Sequence, residues 1–273
     1  MEIISERSFH NITKLTSLSL QSNLFKNFPT RTLLPLVDLK ELHVSDNLLQ
    51  HIPVAVQGLR KATFLNLSQN PMERLKEIPG SRAMMLTVEN VILTYTNLSI
   101  IGHGDLDLFP NVTELVLSHN CLSRIAPYAF ASLSKLLKLD LSHNEIMHLS
   151  RERLVGLTNL KMLNLSFNHI GSVDAFPTDL RNLFILDISN NRLRSIPRDS
   201  LNALENLVRL DLRGNLLTEL MPEVLLPLKK VRAVDLANNQ FSNLPLEGIE
   251  SVEDTLEDLN LKGKDHFLLL SNF

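Results

Sequence analysis

The sequence predicts an α/β solenoid, a stack of short parallel strands forming a concave sheet, closed on its convex side by short helical, 3-10 or irregular turns. Three observations carry that prediction. An L-x-x-L-x-L-x-x-N-x-L pattern recurs along nearly the whole chain. Its recurrence interval is almost constant, which marks a repeat architecture. The apolar content, 44% of 273 residues, includes only 5% aromatics and no Trp, so one aliphatic side chain is used again and again.

The strand is the first element of each repeat. Segments beginning at Leu136, Leu160, Leu183 and Leu207 read LLKLDLSHNEI, LKMLNLSFNHI, LFILDISNNRL and LVRLDLRGNLL. In the L-x-L core the leucines alternate with other residues and point to one side, the period of a strand. Equivalent strands lying ~4.8 Å apart make a parallel sheet with one face in the core.

The asparagine is the second element. It falls at Asn23, Asn47, Asn70, Asn120, Asn144, Asn168, Asn191, Asn215 and Asn239, with Thr96 in the fourth repeat and Lys264 in the eleventh. Successive steps are 24, 23, 26, 24, 24, 24, 23, 24, 24 and 25 residues. Here the chain leaves the strand and turns through the interior. A carboxamide both donates and accepts, so it satisfies turn groups that would otherwise be buried unpaired. Thr96 keeps one hydroxyl for that task. Lys264 cannot perform it without burying a charge, which predicts an incomplete last repeat over 256–273.

The back half of the repeat is the third element. Ten residues after the asparagine position stand Leu33, Leu106, Phe130, Leu154, Leu201, Leu225 and Ile249, and three further on Leu36, Leu133, Leu157, Leu204 and Leu228. The i, i+3 spacing predicts a short helical or 3-10 turn with its apolar side against the core. The third repeat, QNPMERLKEIPGSRAMML, is interrupted by Pro71, Pro79 and Gly80, which predicts a local loop or bend.

A 24-residue unit with N-x-L-x-x-I/L followed by an apolar closing turn, as in SHNCLSRIAPYAFASLSKL (118–136), resembles the typical class of leucine-rich repeats. That class is found in the ectodomains of Toll-like receptors, Slit-like proteins and chaoptin-like adhesion proteins. The segment GIESVEDTLEDLNLKGK (248–264), with Asp254-Thr255-Leu256 before a strand, resembles the chaoptin-like group. The resemblance covers nearly the whole chain. It implies a leucine-rich-repeat horseshoe, a single array of about eleven repeats over 1–273, and a function in binding a protein ligand or homotypic partner as part of a cell-surface adhesion or receptor protein. A secreted matrix or carrier protein and an intracellular scaffold are the alternatives.

Residues 1–14, with Ile4, Phe9 and Ile12, read as the back half of a preceding repeat. The cysteine clusters that cap extracellular relatives are absent, so the sequence reads as a fragment lacking both caps. No stretch approaches the ~20 apolar residues of a bilayer span, so membrane attachment would lie in other parts of the full-length protein. Five N-x-S/T sequons, at Asn11, Asn66, Asn97, Asn111 and Asn164, fit an extracellular or cell-surface glycoprotein. Asn66 and Asn164 also arise directly from the L-N-L-S form of the repeat, so the count alone decides little.

No G-x-S-x-G, G-x-x-x-x-G-K-[ST], H-E-x-x-H or C-x-x-C occurs, and no catalytic residue, cofactor or metal is assigned. His103, Asp105 and Asp107 of GHGDLD (102–107) read as a solvated turn. Cys121 is the only cysteine, which excludes an internal disulfide, and it reads as an ordinary half-buried thiol and not as a catalytic one, which would need an activating base or positive neighbour. A net charge of -3 argues against a general nucleic-acid or polybasic membrane surface, so no nucleic-acid partner is expected.

The outward strand positions offer the surface for binding. Their central column reads Ser19, His43, Asn66, Ile92, Val116, Asp140, Asn164, Asp187, Asp211, Asp235 and Asn260, acidic in its later part and balanced in part by Arg209, Arg213 and Arg232. More selective are large apolar residues where solvent favours polar ones. Phe64, Ile92, Val116, Met162, Phe167 and Ile185 are of this kind, and Tyr95, His119, His143 and Phe167 share one column on consecutive repeats. These are the candidate partner-binding residues. Glycans at Asn66 and Asn164 would shield the concave face and move contacts to convex or lateral surfaces.

Overall fold

The computed structural model describes residues 1–75 and 85–263, in two compact units, Met1–Asp140 and Leu141–Phe273. The first unit holds β1 (Ser17–Ser19), β2 (Glu41–His43), β3 (Phe64–Asn66), β4 (Asn90–Ile92), β5 (Ile100–Ile101), β6 (Glu114–Val116), β7 (Arg124–Ile125) and β8 (Lys138–Asp140). Six of them, in the order β1-β2-β3-β4-β6-β8, make one parallel sheet, and β5 pairs with β7 just beyond the asparagine turn. The second unit holds β9 (His148–Leu149), β10 (Met162–Asn164), β11 (Ser172–Val173), β12 (Ile185–Asp187), β13 (Arg209–Asp211), β14 (Ala233–Asp235) and β15 (Asp258–Asn260). There β10-β12-β13-β14-β15 form the parallel sheet and β9 pairs with β11.

Each strand of these two larger sheets has three residues, centred on the first leucine of L-x-L or the residue in its place, as Lys138–Asp140 on Leu139. Its central residue points inward: Leu42, Leu65, Val91, Leu115 and Leu139 in the first unit, and Leu163, Leu186, Leu210 and Val234 in the second, are all buried. Neighbouring strands align these residues directly, as Leu42 with Leu65 and Leu186 with Leu210. Each leucine is therefore covered only by adjacent repeats, the energetics of a stacked array. The terminal strands show it by contrast. Leu18 of β1 is half-buried, and Leu259 of β15 is exposed even though β15 pairs with β14 in register.

Short turns close the core as expected. Segments Val54–Gly58, Asp105–Leu108, Arg151–Leu154 and Thr178–Asn182 are 3-10 helices, while Pro222–Leu225 (α1) and Leu246–Glu250 (α2) are α-helical. Leu33, Leu106, Phe130, Leu154, Leu201 and Leu225 are buried, but Ile249 is only partly so. At the start of the chain, the Met1 nitrogen donates to Asn23 Oδ1 at 2.9 Å, as the Phe25 N–H does to Asn47 Oδ1 at 3.0 Å. The first residues thus stand in the register of a repeat's back half. Pro79, Gly80 and Lys264, on which the sequence places an irregular loop and an incomplete repeat, lie outside the described residues.

Candidate interaction surface

The asparagine ladder orients everything else. Asn168 Nδ2 donates to Leu165 O (3.0 Å) and Ser166 O (3.3 Å) of its own turn and to Leu141 O (2.9 Å) of the preceding repeat. Its Oδ1 accepts the Ile146 N–H at 3.0 Å. Asn47, Asn70, Asn191, Asn215 and Asn239 make the same set within their own units. Asn144 Nδ2 likewise donates to Leu141 O and Ser142 O. Thr96 departs from the expectation that its hydroxyl would do this work. Its Oγ1 donates forward to Asn120 Oδ1 at 2.6 Å, and Asn120 Oδ1 also accepts the Thr96 N–H at 2.8 Å. A hydroxyl on Cβ reaches one bond less far than an amide nitrogen on Cγ, so it does not span to the preceding repeat. The Met72 N–H bonds the Asn70 carbonyl of its own turn instead, at 2.7 Å.

For the ladder amide to point inward, the residue before it must take the left-handed conformation. Ser22, Asp46, Gln69, Tyr95 and His119 in the first unit, and His143, Phe167, Asn190, Gly214 and Asn238 in the second, all have φ between 52° and 65°. Sheet-like bonds to the next repeat hold them there: Tyr95 N–H donates to His119 O at 3.0 Å, and Phe167 N–H to Ser189 O at 3.0 Å. A left-handed residue costs an ordinary L side chain roughly 1–2 kcal/mol, and Gly, Asn and Asp the least. The chain nevertheless places four rings in this column. They stack in pairs: Tyr95 on His119 with centroids 4.5 Å apart and planes 11° apart, His143 on Phe167 at 4.3 Å and 8°. Tyr95 is 57% and Phe167 47% exposed. Met147, four residues after His143, is 64% exposed, and its carbonyl accepts the Gly171 N–H.

The other candidate contacts lie on the strands. Phe64, Ile92 and Val116 in the first unit are half-buried on the outward sheet face, as is Ile185 in the second, while Met162 is exposed. His43 packs against Phe64 with centroids 5.0 Å apart, and Lys161 Nζ sits 4.6 Å from the Phe184 ring. Neither contact was evident in the sequence; outward alternation on neighbouring strands is the signal that could have shown the first.

The acidic column is less free than its sequence suggests. Asp187 Oδ1 accepts the Ser189 N–H (2.8 Å), Asp211 Oδ1 the Arg213 N–H (3.1 Å), and Asp235 Oδ1 the Ala237 N–H (2.9 Å). Asn66, Asn164 and Asn260 do the same two residues on. The Asp/Asn preference at this position is therefore set first by turn formation. Asp211 is buried, and that burial, with Asp187 and Asp235 on the flanking strands, raises its pKa against the lowering effect of the Arg213 N–H and guanidinium.

Of the sequons, Asn11 and Asn97 are exposed and Asn66, Asn111 and Asn164 half-buried; Asn111 Oδ1 accepts from Lys135 Nζ at 2.8 Å. In GHGDLD, Asp105 Oδ2 accepts the Gly102 N–H at 2.7 Å, a bond within the loop itself. Among the described residues no three His, Cys, Asp or Glu side chains are grouped to hold a metal, and no helix is long and apolar enough to cross a membrane. Cys121 is exposed.

These repeats define a class. The family model described as "Leucine rich repeat" matches residues 13–72, 88–170 and 181–241, and a second, "Leucine Rich repeats (2 copies)", matches 158–197. The chain belongs to the leucine-rich-repeat family. It is 30% identical over 96 residues to Vasorin of Mus musculus, a match spanning 35% of this chain and 14% of Vasorin. Its fold is similar to that in the TLR13–ssRNA13 complex (TM-score 0.79, 23% identity, 96% of this chain and 42% of that one). The Drosophila Toll–Spatzle complex (0.76, 22%, 94% and 38%) and the LRIM1/APL1C complex (0.67, 18%, 97% and 54%) are similar too. At these identities the likeness is one of fold, and the chain spans about half or less of each of these relatives.

Proposed function

We propose that this chain is a non-catalytic, protein-binding part of an extracellular or cell-surface adhesion or receptor protein, arranged as one continuous array of repeats. One observation carries the binding claim: exposed, stacked rings occupy left-handed positions where folding alone favours Asn, Asp or Gly. Stacking offsets part of that backbone cost, yet it leaves Tyr95 and Phe167 about half exposed, and a strained, exposed ring fits a contact residue. The flank where the chain enters the strands looks different. Its side chains bond one another, as Lys61 with Asp38 and Lys230 with Asn206, and need no partner. Three structural relatives carry protein or RNA partners in their names, Spatzle, APL1C and ssRNA13, which supports a ligand-binding role in general. For this chain a protein partner is favoured over nucleic acid, because its net charge is -3 and its outward column is acidic.

The test replaces the rings by the residue the backbone prefers. Phe167→Asn and His143→Asn in the full-length protein should raise the melting temperature slightly and reduce binding to partner-bearing cells at least tenfold. Unchanged cell binding overturns the assignment of this edge. Binding of single-stranded RNA that is lost in the same variants would replace the protein partner by a nucleic acid.

A further inference from the structure

We propose that Asn11, Asn66 and Asn97 carry N-linked glycans whose first N-acetylglucosamine rests on the aromatic ring two residues upstream, Phe9, Phe64 and Tyr95 respectively. The inference rests on the extracellular reading above. Aromatic residues make up 5% of the chain, so about one sequon in twenty should have one at that position. Four of the five do, namely Phe9, Phe64, Tyr95 and Phe109, and the fifth has Met162. Phe109 is wholly buried and is explained by the core. Phe9, in the closing turn of residues 1–14, is only half-buried, and Phe64 and Tyr95 face outward, so the core does not account for these three in the same way.

The strand pleat brings ring and amide to one side at Asn66, and at Asn11 and Asn97 the two residues stand two apart along one short stretch of turn. Phe64 and Asn66 are alternate residues of β3 and share the outward face of the sheet. His43 covers one side of the Phe64 ring. Asn66 Oδ1 accepts the Ser68 N–H at 3.0 Å, and Nδ2, the atom that takes the sugar, makes no hydrogen bond among the described residues. Phe9 and Asn11 belong to one turn, closed by the Ile12 N–H on the Phe9 carbonyl at 3.0 Å, with Asn11 exposed. Tyr95 gives one ring face to His119 and is 57% exposed, and Asn97, two residues on, is exposed too.

The chemistry is complementary. One face of N-acetylglucosamine is a sheet of C–H bonds, and an aromatic ring presents an electron-rich apolar surface of similar size. The transfer itself uses an oligosaccharide carried on a lipid diphosphate. The Nδ2–C1 bond forms as the C1–O bond to the diphosphate breaks, the lipid diphosphate leaves, and the amide nitrogen gives up one proton with no change of oxidation state. The sugar on Asn66 then covers Phe64, which turns an outward apolar residue from a partner contact into a glycan floor. The open side of Tyr95 is likewise taken, and the His143–Phe167 pair, in a unit whose one sequon is Asn164, is left for protein contact.

The experiment expresses the full-length protein in a eukaryotic secretory cell line and maps occupancy by peptide mass spectrometry. Melting is then compared with glycans trimmed to one N-acetylglucosamine and with glycans removed, for the wild type, Phe64→Ser and Tyr95→Ser, all of which keep their sequons. Occupied Asn11, Asn66 and Asn97 are expected, with removal of the last sugar lowering the wild-type melting temperature by about 2 °C or more, and by less in each variant. Secreted protein with these asparagines empty overturns the proposal and leaves the extracellular reading standing. Occupancy with an equal shift in wild type and variants overturns the ring contact. A chain retained in the cytosol overturns the extracellular reading, and this proposal with it.

Discussion

Removing one amide from the ladder tests the physics that holds the stack together, and Asn168 is the cleanest place. Its four bonds do not have equal worth. Leu141 O still receives Asn144 Nδ2 after Asn168→Ala, and Leu165 O still receives Asn191 Nδ2, because each ladder carbonyl is served by two amides. The group left alone is the Ile146 N–H, buried at the core side of the turn, whose acceptor is Asn168 Oδ1. An orphaned buried donor costs about 1–3 kcal/mol, and the void left by the amide adds to it, so a loss of about 2–3 kcal/mol is expected. In a chain of this size that lowers the melting temperature by roughly 5–10 °C. Asn168→Asp should be worse, although it keeps an acceptor for Ile146, because it aims a buried charge at three carbonyl oxygens. Thermal melting with amide hydrogen exchange at Ile146 decides the matter. A variant Asp better tolerated than Ala, or full protection of the Ile146 amide in Asn168→Ala, would refute the reasoning.

Two more predictions concern the second unit. Asp211 carries a raised pKa, so its ionised form is the penalised one in the fold; the penalty is fully present above the folded pKa and fades as pH falls toward the unfolded value. Asp211→Asn keeps the acceptor for the Arg213 N–H and removes like charge next to Asp187 and Asp235, worth about 0.2–1 kcal/mol. It should melt higher than wild type at pH 7 and lose that advantage in acid; a lower melting temperature at pH 7 would count against the burial argument. Gly248 of α2 has no room for a side chain, since a Cβ would stand 2.5 Å from the Leu220 carbonyl oxygen and 2.7 Å from Leu220 Cγ. Gly248→Ala should cost about 1–3 kcal/mol by melting, and an unchanged value would mean that α2 shifts freely.

The stack was legible because its determinants are local and repeated. An inward leucine at L-x-L and a carboxamide three residues later leave a trace at nearly every turn, and the three-residue strands of both units follow them. What repetition hid was the work done by the positions between. The outward aspartates read as a charged surface, yet Asp187, Asp211 and Asp235 each spend one oxygen on the backbone two residues on, a bond visible only once the turn is built. Thr96 looked adequate because it can donate and accept, and failed because reach, not chemistry, decides which repeat it touches.

The same reasoning explains why the candidate site is legible only in part. A ring at the position before the ladder asparagine looks like any exposed aromatic in sequence. It becomes informative when the backbone there proves left-handed at ten successive repeats, from Ser22 to Asn238, whatever residue stands in it. Asp46, Asn190, Gly214 and Asn238 meet that demand cheaply, while Tyr95 and Phe167 meet it at a cost of roughly 1–2 kcal/mol each. A stack that gains stability from each repeat can carry such costs without unfolding. If the rings are contact residues, exchanging them for asparagine should separate stability from binding, with melting rising as affinity falls. Residues retained for folding alone cannot show that opposition of sign.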